Sequence, residues 1–196
     1  MRFTDTPLQG AVVVEIEPHR DSRGYFTRLW CAREFEAQGL PGRIVQASLS
    51  RNLKRGTVRG MHMQLPPSRE GKIVQCVRGR IYDVIVDLRL GSPTFLHHFG
   101  IELTAEAHNA LYIPPWMLHG FQTLEDDTEV LYQMTDFHAS ELAWGARWND
   151  PAFRIEWPIV SDVTLLARDR TYADFDRAAY EQVARAGLGR MGEGVA

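Results

Sequence analysis

The stretch from Thr57 to Cys76 has the sequence TVRGMHMQLPPSREGKIVQC, and both of its ends are rich in β-branched and aliphatic residues. Such residues favour strands, whereas the prolines and the glycine of segment 66–71 favour a loop between them. The stretch is therefore predicted to form a β-hairpin that turns its polar groups inward. It carries two groups able to handle protons, His62 and Lys72, and one able to bind anions, Arg59.

Gly60 decides whether these groups share one side of a sheet. In a regular strand Arg59 and His62 would point to opposite faces, because side chains alternate along a strand. A glycine inside a strand often marks a bulge or a close approach of two backbones, and either can re-aim a neighbouring side chain. We therefore expect an irregular ladder at Gly60.

Outward from this stretch, the chain consists of short apolar runs separated by turn residues. From Arg43 onward the runs are RIVQASLS, TVRGMHMQ, KIVQCVR, RIYDVIVDLR, FLHHFGIEL, NALYIPP, HGFQTL and TEVLYQM. No segment between them is long enough for a crossover helix, so they predict an antiparallel sandwich or barrel. Two helices are expected, from Ala32 to Gln38 with Gly39 as its C-cap, and from Tyr172 to Ala186.

Length and composition predict one domain. The chain has 196 residues, 44% of them hydrophobic, which is enough for a sizeable core. We expect this domain to span residues 1–186 and residues 187–196 to form a disordered tail. The 22 basic and 25 acidic residues are dispersed along the chain, which gives no support to a nucleic-acid-binding tail or a polybasic membrane anchor.

The cysteines and the apolar runs predict a cytoplasmic protein. Cys31 and Cys76 are the only cysteines and lie outside any metal-ligand spacing, which fits free thiols in a reducing compartment. Residues 1–10 contain no apolar segment of signal-peptide length, and no run in the chain approaches the length of a transmembrane span.

Each residue that could carry chemistry in the central stretch has a structural alternative. A lone histidine such as His62 is more often a hydrogen-bonded core residue than a catalyst. Lys72 favours the catalytic alternative, because lysine is rarely buried without a partner. Arg59 and the more distant Arg23 could clamp a phosphate or could form surface ion pairs.

Two downstream residues have the same ambiguity. Tyr132 shares its strand face with apolar residues and could fill the core, or its hydroxyl could act as an acid at a cavity wall. Asp169 follows an apolar run and could cap the helix beyond it or orient a histidine.

A metal centre is disfavoured by the spacing of the histidines. Metal-binding β-barrels commonly use a His-x-His pair, but here Gln64 follows His62 at that spacing. The adjacent residues His97–His98 would point to opposite faces of a strand. Glu70 and His119 could complete only a poor site, so no metal is expected.

A series of short motifs runs from Asp21 to Asp169. They include Asp21-x-Arg23-Gly24-x-Phe26, Gln46-x-Ser48-x-Ser50, Arg59-Gly60-Met61-His62, Lys72-Ile73-Val74, Ser92-Pro93-Thr94-Phe95, His119-Gly120-Phe121 and Trp148-Asn149-Asp150-Pro151. Each motif is weak alone, but together and in this order they resemble the dTDP-4-dehydrorhamnose 3,5-epimerase family.

The resemblance implies a fold and an activity. The fold would be an all-β, cupin-type double-stranded β-helix, or jelly roll, with short peripheral helices and a C-terminal helix. It is usually a homodimer formed by exchange of N-terminal strands. Members epimerise a nucleotide-linked 4-keto-6-deoxyhexose without a cofactor, most simply dTDP-4-dehydro-6-deoxy-D-glucose at C3 and C5. The product would be dTDP-4-dehydro-L-rhamnose, for rhamnose and polysaccharide biosynthesis.

The resemblance also implies roles for individual residues. His62 would be the base that removes the proton beside the ketone, and Asp169 its orienting partner. Tyr132 would be the acid on the opposite face, and Lys72 would stabilise the enolate oxygen. The implied substrate-binding residues are Arg23, Gln46, Ser48, Arg59, Lys72, His119, His138 and Arg168. Of these, Arg23 and Arg59 would bind the diphosphate.

Five positions depart from the family pattern and leave the specificity open. They are Arg28 for a glutamate, Ser48 for an asparagine, His138 for a tyrosine, Ala143 for a glutamate and Arg168 for a lysine. The nucleotide base, and whether C3, C5 or both are epimerised, are therefore not fixed. The alternatives are a single-carbon epimerase, a non-catalytic sugar-nucleotide-binding cupin and a metal-dependent cupin oxygenase or isomerase.

Overall fold

The protein, described here by a computed structural model of residues 1–192, is built around antiparallel β-sheets. The strands are β1 (Arg2–Asp5), β2 (Val12–Glu15), β3 (His19–Asp21), β4 (Gly24–Phe26), β5 (Gln46–Asn52), β6 (Val58–Gln64), β7 (Lys72–Arg78), β8 (Arg80–Asp87), β9 (His98–Thr104), β10 (Asn109–Ile113), β11 (Met117–Thr123), β12 (Thr128–Met134) and β13 (Ala143–Gly145). The α-helices are α1 (Ala32–Glu36), α2 (Ala167–Arg170) and α3 (Arg177–Gly192). None of these helices is long and apolar enough to cross a lipid bilayer.

The strands form two main sheets and a separate hairpin. One sheet has the order β1-β2-β10-β7-β12-β5, the other β13-β6-β11-β8-β9, and β3 forms a two-stranded sheet with β4. Strands β5 to β12 thus divide into β5-β12-β7-β10 and β6-β11-β8-β9, the strand orders of a jelly roll. The predicted all-β, cupin-type double-stranded β-helix is confirmed.

The apolar residues of β8 show how the layers are held together. Ile81 and Ile85 belong to a buried cluster that also contains residues of the facing sheet, whereas Val84 and Val86 belong to a second cluster with Tyr180 of α3. Both faces of the strand are therefore covered, which explains its nearly continuous apolar run. Each such side chain contributes about 1.5–3 kcal/mol by leaving water.

The predicted hairpin between Thr57 and Cys76 is wrong in its pairing, although both strands exist. Strand β6 pairs with β11 and β13, and strand β7 pairs with β10 and β12, so the two lie in different sheets. Segment 65–71 crosses between the sheets instead of closing a turn. Both strands nevertheless line the cavity between the two sheets, so Arg59, His62 and Lys72 still meet in the interior.

The irregular ladder predicted at Gly60 is confirmed. Arg59 pairs with Phe121 and His62 with His119, so the register shifts between these pairs. Gly60 has a φ of 141°, and a Cβ there would lie 2.5 Å from the Cα of Gly120. The glycine permits both the left-handed backbone and the close approach, and the shift turns Arg59 and His62 toward the same cavity.

The helices differ from prediction at the C-terminus. The short helix at Ala32 is confirmed, but α3 begins at Arg177, where the side chain of Asp176 accepts a hydrogen bond from the third residue of the helix. It continues to Gly192, so the predicted disordered tail is wrong for residues 187–192, and residues 193–196 lie outside the described chain. Gly187, the residue after the predicted end of the helix, allows α3 to approach the Pro66 backbone, which a Cβ would meet at 2.1 Å.

Candidate active site

A cavity of about 780 Å³ lies between the two sheets. Its walls come from β5, β7 and β12 of one sheet, β6 and β11 of the other, and the segment leading into α2. The predicted site residues that line it are Gln46, Ser48, Arg59, His62, Lys72, His119, Tyr132, His138, Arg168 and Asp169.

Arg23 is the predicted site residue that does not line this cavity. It follows β3 in the turn of the β3–β4 hairpin, where its side chain is 88% exposed and forms an ion pair with Asp21 at 2.6 Å. The hairpin belongs to neither main sheet. The expectation that Arg23 joins Arg59 at one anion site is therefore wrong for a single chain.

His62 and Asp169 form a hydrogen-bonded pair at the cavity wall. The Nε2 atom of His62 lies 2.7 Å from Oδ1 of Asp169, whose side chain is only 4% exposed. The carboxylate is thus directed at the imidazole, which agrees with the orienting role and not with helix capping. The pair fixes the ring and leaves Nδ1 for a substrate proton.

The surroundings of His62 favour its neutral form. Burial lowers its pKa, the hydrogen bond and charge of Asp169 raise it, and the charges of Arg168 and Lys72 lower it again, with a net lowering. A neutral imidazole is the form that accepts a proton, so the environment suits His62 to act as a base near neutral pH.

Tyr132 lies on the opposite wall from His62. It belongs to β12 of the six-stranded sheet, whereas His62 belongs to β6 of the five-stranded sheet. Burial raises the pKa of Tyr132, the charge of Asp83 raises it further, and Arg59 opposes the shift. The phenol therefore keeps its proton, as a general acid must.

Lys72 supplies a cation beside Tyr132 on the same sheet. It stands opposite Met134 in the β12 ladder, two positions from Tyr132. Its Nζ lies 3.2 Å from Oε1 of Glu70, and the two side chains are 16% and 6% exposed. Gln64 Nε2 donates to the other Glu70 oxygen at 2.7 Å. A cation held this way is preorganised for an oxygen that becomes negative.

Pattern analysis missed three residues that support the site. Asn52 accepts a hydrogen bond from Arg59, Asp83 is hydrogen-bonded to His119 at 2.8 Å, and Glu70 forms an ion pair with Lys72. Two signals were available. Asn52 continues the alternation of Gln46, Ser48 and Ser50, and Asp83 is a carboxylate inside an apolar run, where a partner is required. Within residues 1–192 no three His, Cys, Asp or Glu side chains are grouped to hold a metal ion.

Comparison with known proteins decides the family. The family model described as dTDP-4-dehydrorhamnose 3,5-epimerase matches residues 5–177. The chain belongs to this family. Epimerases are isomerases, so membership of the dTDP-4-dehydrorhamnose 3,5-epimerase family confirms the prediction that the protein is an isomerase.

Three relatives illustrate the range of the family. The dTDP-4-dehydrorhamnose 3,5-epimerase of Methanothermobacter thermautotrophicus is 38% identical over 173 residues, covering 87% of this chain and 92% of the relative. The crystal structure of the Bacillus anthracis dTDP-4-dehydrorhamnose 3,5-epimerase with TDP and PPi bound has a TM-score of 0.85 and 35% identity, covering 89% of this chain and 99% of the other. A Streptomyces niveus dTDP-4-dehydrorhamnose 3-epimerase is 35% identical over 159 residues, covering 81% of this chain and 76% of the relative.

Proposed function

We propose that the protein is a cofactor-independent epimerase that converts dTDP-4-dehydro-6-deoxy-D-glucose to dTDP-4-dehydro-L-rhamnose. One observation carries the proposal: His62, held by the Asp169 carboxylate, and Tyr132 line one cavity from opposite sheets. Inversion of a carbon needs a base on one side and an acid on the other, and this arrangement supplies both.

The chemistry follows from the placement of these groups. Nδ1 of His62 takes the proton from a carbon beside the ketone, the electron pair of the broken C–H bond forms a C=C bond, and the carbonyl π pair moves to the ketone oxygen. Lys72 stabilises the resulting enolate. Tyr132 then gives its proton to the opposite face of the carbon, and exchange with solvent returns His62 and Tyr132 to their starting forms. Repetition at the other neighbouring carbon completes the reaction.

The anionic end of the substrate is assigned to the basic side chains of the same cavity. Arg59 and Arg168 line it together with His119, and the related Bacillus anthracis enzyme was solved with TDP and PPi bound. Cations in a cavity strengthen the binding of a diphosphate because its charge is only partly screened there.

Solvent deuterium tests the activity. Deuterium should enter C3 and C5 of the dTDP-4-keto sugar in deuterated water, as measured by NMR and mass spectrometry. Exchange at one carbon would indicate a single-carbon epimerase, the alternative that the name of the Streptomyces niveus relative favours. Binding without exchange for the dTDP, CDP and GDP forms would refute the proposal and favour a non-catalytic binding protein.

The pH dependence of the rate should show the lowered pKa of His62. A base works in its unprotonated form, so a lowered pKa keeps the enzyme active at lower pH. We expect the acidic limb of kcat/KM to have its midpoint below about 6.5, the ordinary value for histidine. Arg168→Ala should move that limb to higher pH, because one charge that lowers the pKa is gone. Arg170→Ala, which removes an exposed neighbouring charge, is the control and should leave the midpoint unchanged. A midpoint that Arg168→Ala does not move would contradict this account.

We also propose a homodimer in which the partner covers the exposed hairpin and edge strand. Tyr25 and Phe26 of the hairpin are 55% and 77% exposed, and Leu49 on the edge strand β5 is 60% exposed. Such surfaces are typical of subunit contacts. A partner seated on β5 would lie beside Gln46, the first residue of that strand, which lines the cavity. Sedimentation should give twice the chain mass, and Phe26→Asp should yield monomers; a monomeric wild type would exclude this assembly.

We place the reaction in the cytoplasm, as a step of polysaccharide biosynthesis. Cys31 and Cys76 are both free thiols, which persist in a reducing compartment. Fractionation of cells that express the native protein tests the location.

A further inference from the structure

The guanidinium of Arg59 is held from one side by a neutral side chain. Its Nε donates a hydrogen bond of 2.7 Å to Oδ1 of Asn52, whose residue is only 2% exposed. No carboxylate among residues 1–192 forms an ion pair with Arg59. The cavity therefore contains a positive charge that is fixed in place but not neutralised.

The orientation of the Asn52 amide is determined by its own partners. Its Nδ2 donates to the backbone carbonyls of Thr128 at 3.3 Å and Ser50 at 3.4 Å. Its Oδ1 faces Arg59 Nε and accepts from the Ser50 hydroxyl at 3.4 Å. The opposite orientation would place the amide oxygen against two carbonyl oxygens, so only one orientation satisfies all of these groups.

This arrangement has a consequence for anion binding. With Nε occupied, both terminal nitrogens of Arg59 remain available for a bidentate contact with phosphate oxygens. A carboxylate in place of the amide would also hold Nε, but it would neutralise the guanidinium at contact distance. A buried neutral acceptor fixes the direction of the side chain and preserves its charge.

We propose that Asn52 is a positioning residue that directs Arg59 toward the diphosphate of the substrate. Asn52 does not line the cavity and acts only through Arg59. The inference rests on the proposed function in assigning Arg59 to the diphosphate, and it adds a residue of β5 to the determinants of substrate affinity.

A double-mutant cycle tests this coupling. Pyrophosphate and dTDP are titrated calorimetrically into the wild type, Asn52→Ala, Arg59→Ala and the double variant. Asn52→Ala should weaken both ligands by about tenfold to a hundredfold, the range for a hydrogen bond to a charged group. In the Arg59→Ala background the same substitution should have no further effect. With the 4-keto sugar, KM should rise while kcat stays within a few-fold of the wild type.

Asn52→Asp separates positioning from a structural role. The substitution is nearly isosteric, so a residue needed only for packing should tolerate it better than alanine. We expect the reverse for anion binding, because the new carboxylate cancels the charge of Arg59. Thermal unfolding of each variant establishes that it is folded. Arg51→Ala is the matched control and should bind as the wild type, because the exposed Arg51 lies on the same strand but pairs with the half-buried Asp127.

The outcomes distinguish this inference from the proposed function. Wild-type affinity in Asn52→Ala or Asn52→Asp, or an equal loss from Asn52→Ala with and without Arg59, would overturn it. Wild-type pyrophosphate affinity in Arg59→Ala would also overturn it. If the cycle behaves as expected but no 4-keto sugar exchanges deuterium, the epimerase assignment fails while the coupling of Asn52 to Arg59 stands.

Discussion

His62→Ala is expected to abolish deuterium entry at both C3 and C5 of the dTDP-4-keto sugar. The loss should be about 10²- to 10⁴-fold at each carbon, the typical contribution of a positioned general base. No neighbouring group should replace it, because Lys72 is paired with Glu70 and the Asp169 carboxylate is buried. The measurement is the rate of exchange at each carbon by NMR in deuterated water.

Two controls make the result specific to proton transfer. His97→Ala removes an exposed histidine outside the cavity and should leave both exchange rates unchanged. The affinity of His62→Ala for dTDP should stay near that of the wild type, since the diphosphate is assigned to other side chains. Exchange by His62→Ala at the wild-type rate, at either carbon, would contradict the assignment of one base to both.

The strands were predictable from sequence, but their partners were not. The alternation of apolar and polar residues and the β-branched residues predict β6 and β7 correctly, because the pattern within a segment indicates which of its side chains are buried. Local patterns contain no information on which strand lies alongside, so the loop between them suggested a hairpin where the chain in fact crosses between sheets. The bulge at Gly60 was predictable because glycine within a strand has few other uses.

The site was only partly accessible to residue patterns. His62 and Asp169 are 107 positions apart, and no periodicity links them, so patterns alone favoured a structural histidine. The resemblance supplied the pairing, and the distance between the two side chains gives it physical support. For Arg23 the resemblance was misleading. Its motif matches the family pattern, but Arg23 lies in a separate hairpin and does not line the cavity of its own chain.

Tyr132→Phe should separate removal of the proton from inversion of the carbon. The ring packs near His119 and Phe121, with centroid distances of 6.1 and 6.4 Å, and phenylalanine preserves that packing while removing the acid. Inversion should therefore fall by about 10²- to 10⁴-fold. His62 keeps its orientation by Asp169, so it should continue to remove substrate protons and return deuterons to the same face.

The measurement is deuterium in recovered substrate compared with deuterium in epimerised product. In Tyr132→Phe the recovered substrate should gain deuterium while almost no product forms, whereas His62→Ala should show neither. Tyr82→Phe is the matched control, because Tyr82 packs against Trp157 outside the cavity and should leave both quantities unchanged. If Tyr132→Phe inverted the carbon at the wild-type rate, another group would be the acid. If it lost exchange as completely as His62→Ala, Tyr132 would be needed for proton removal as well, and the division between the two walls of the cavity would be wrong.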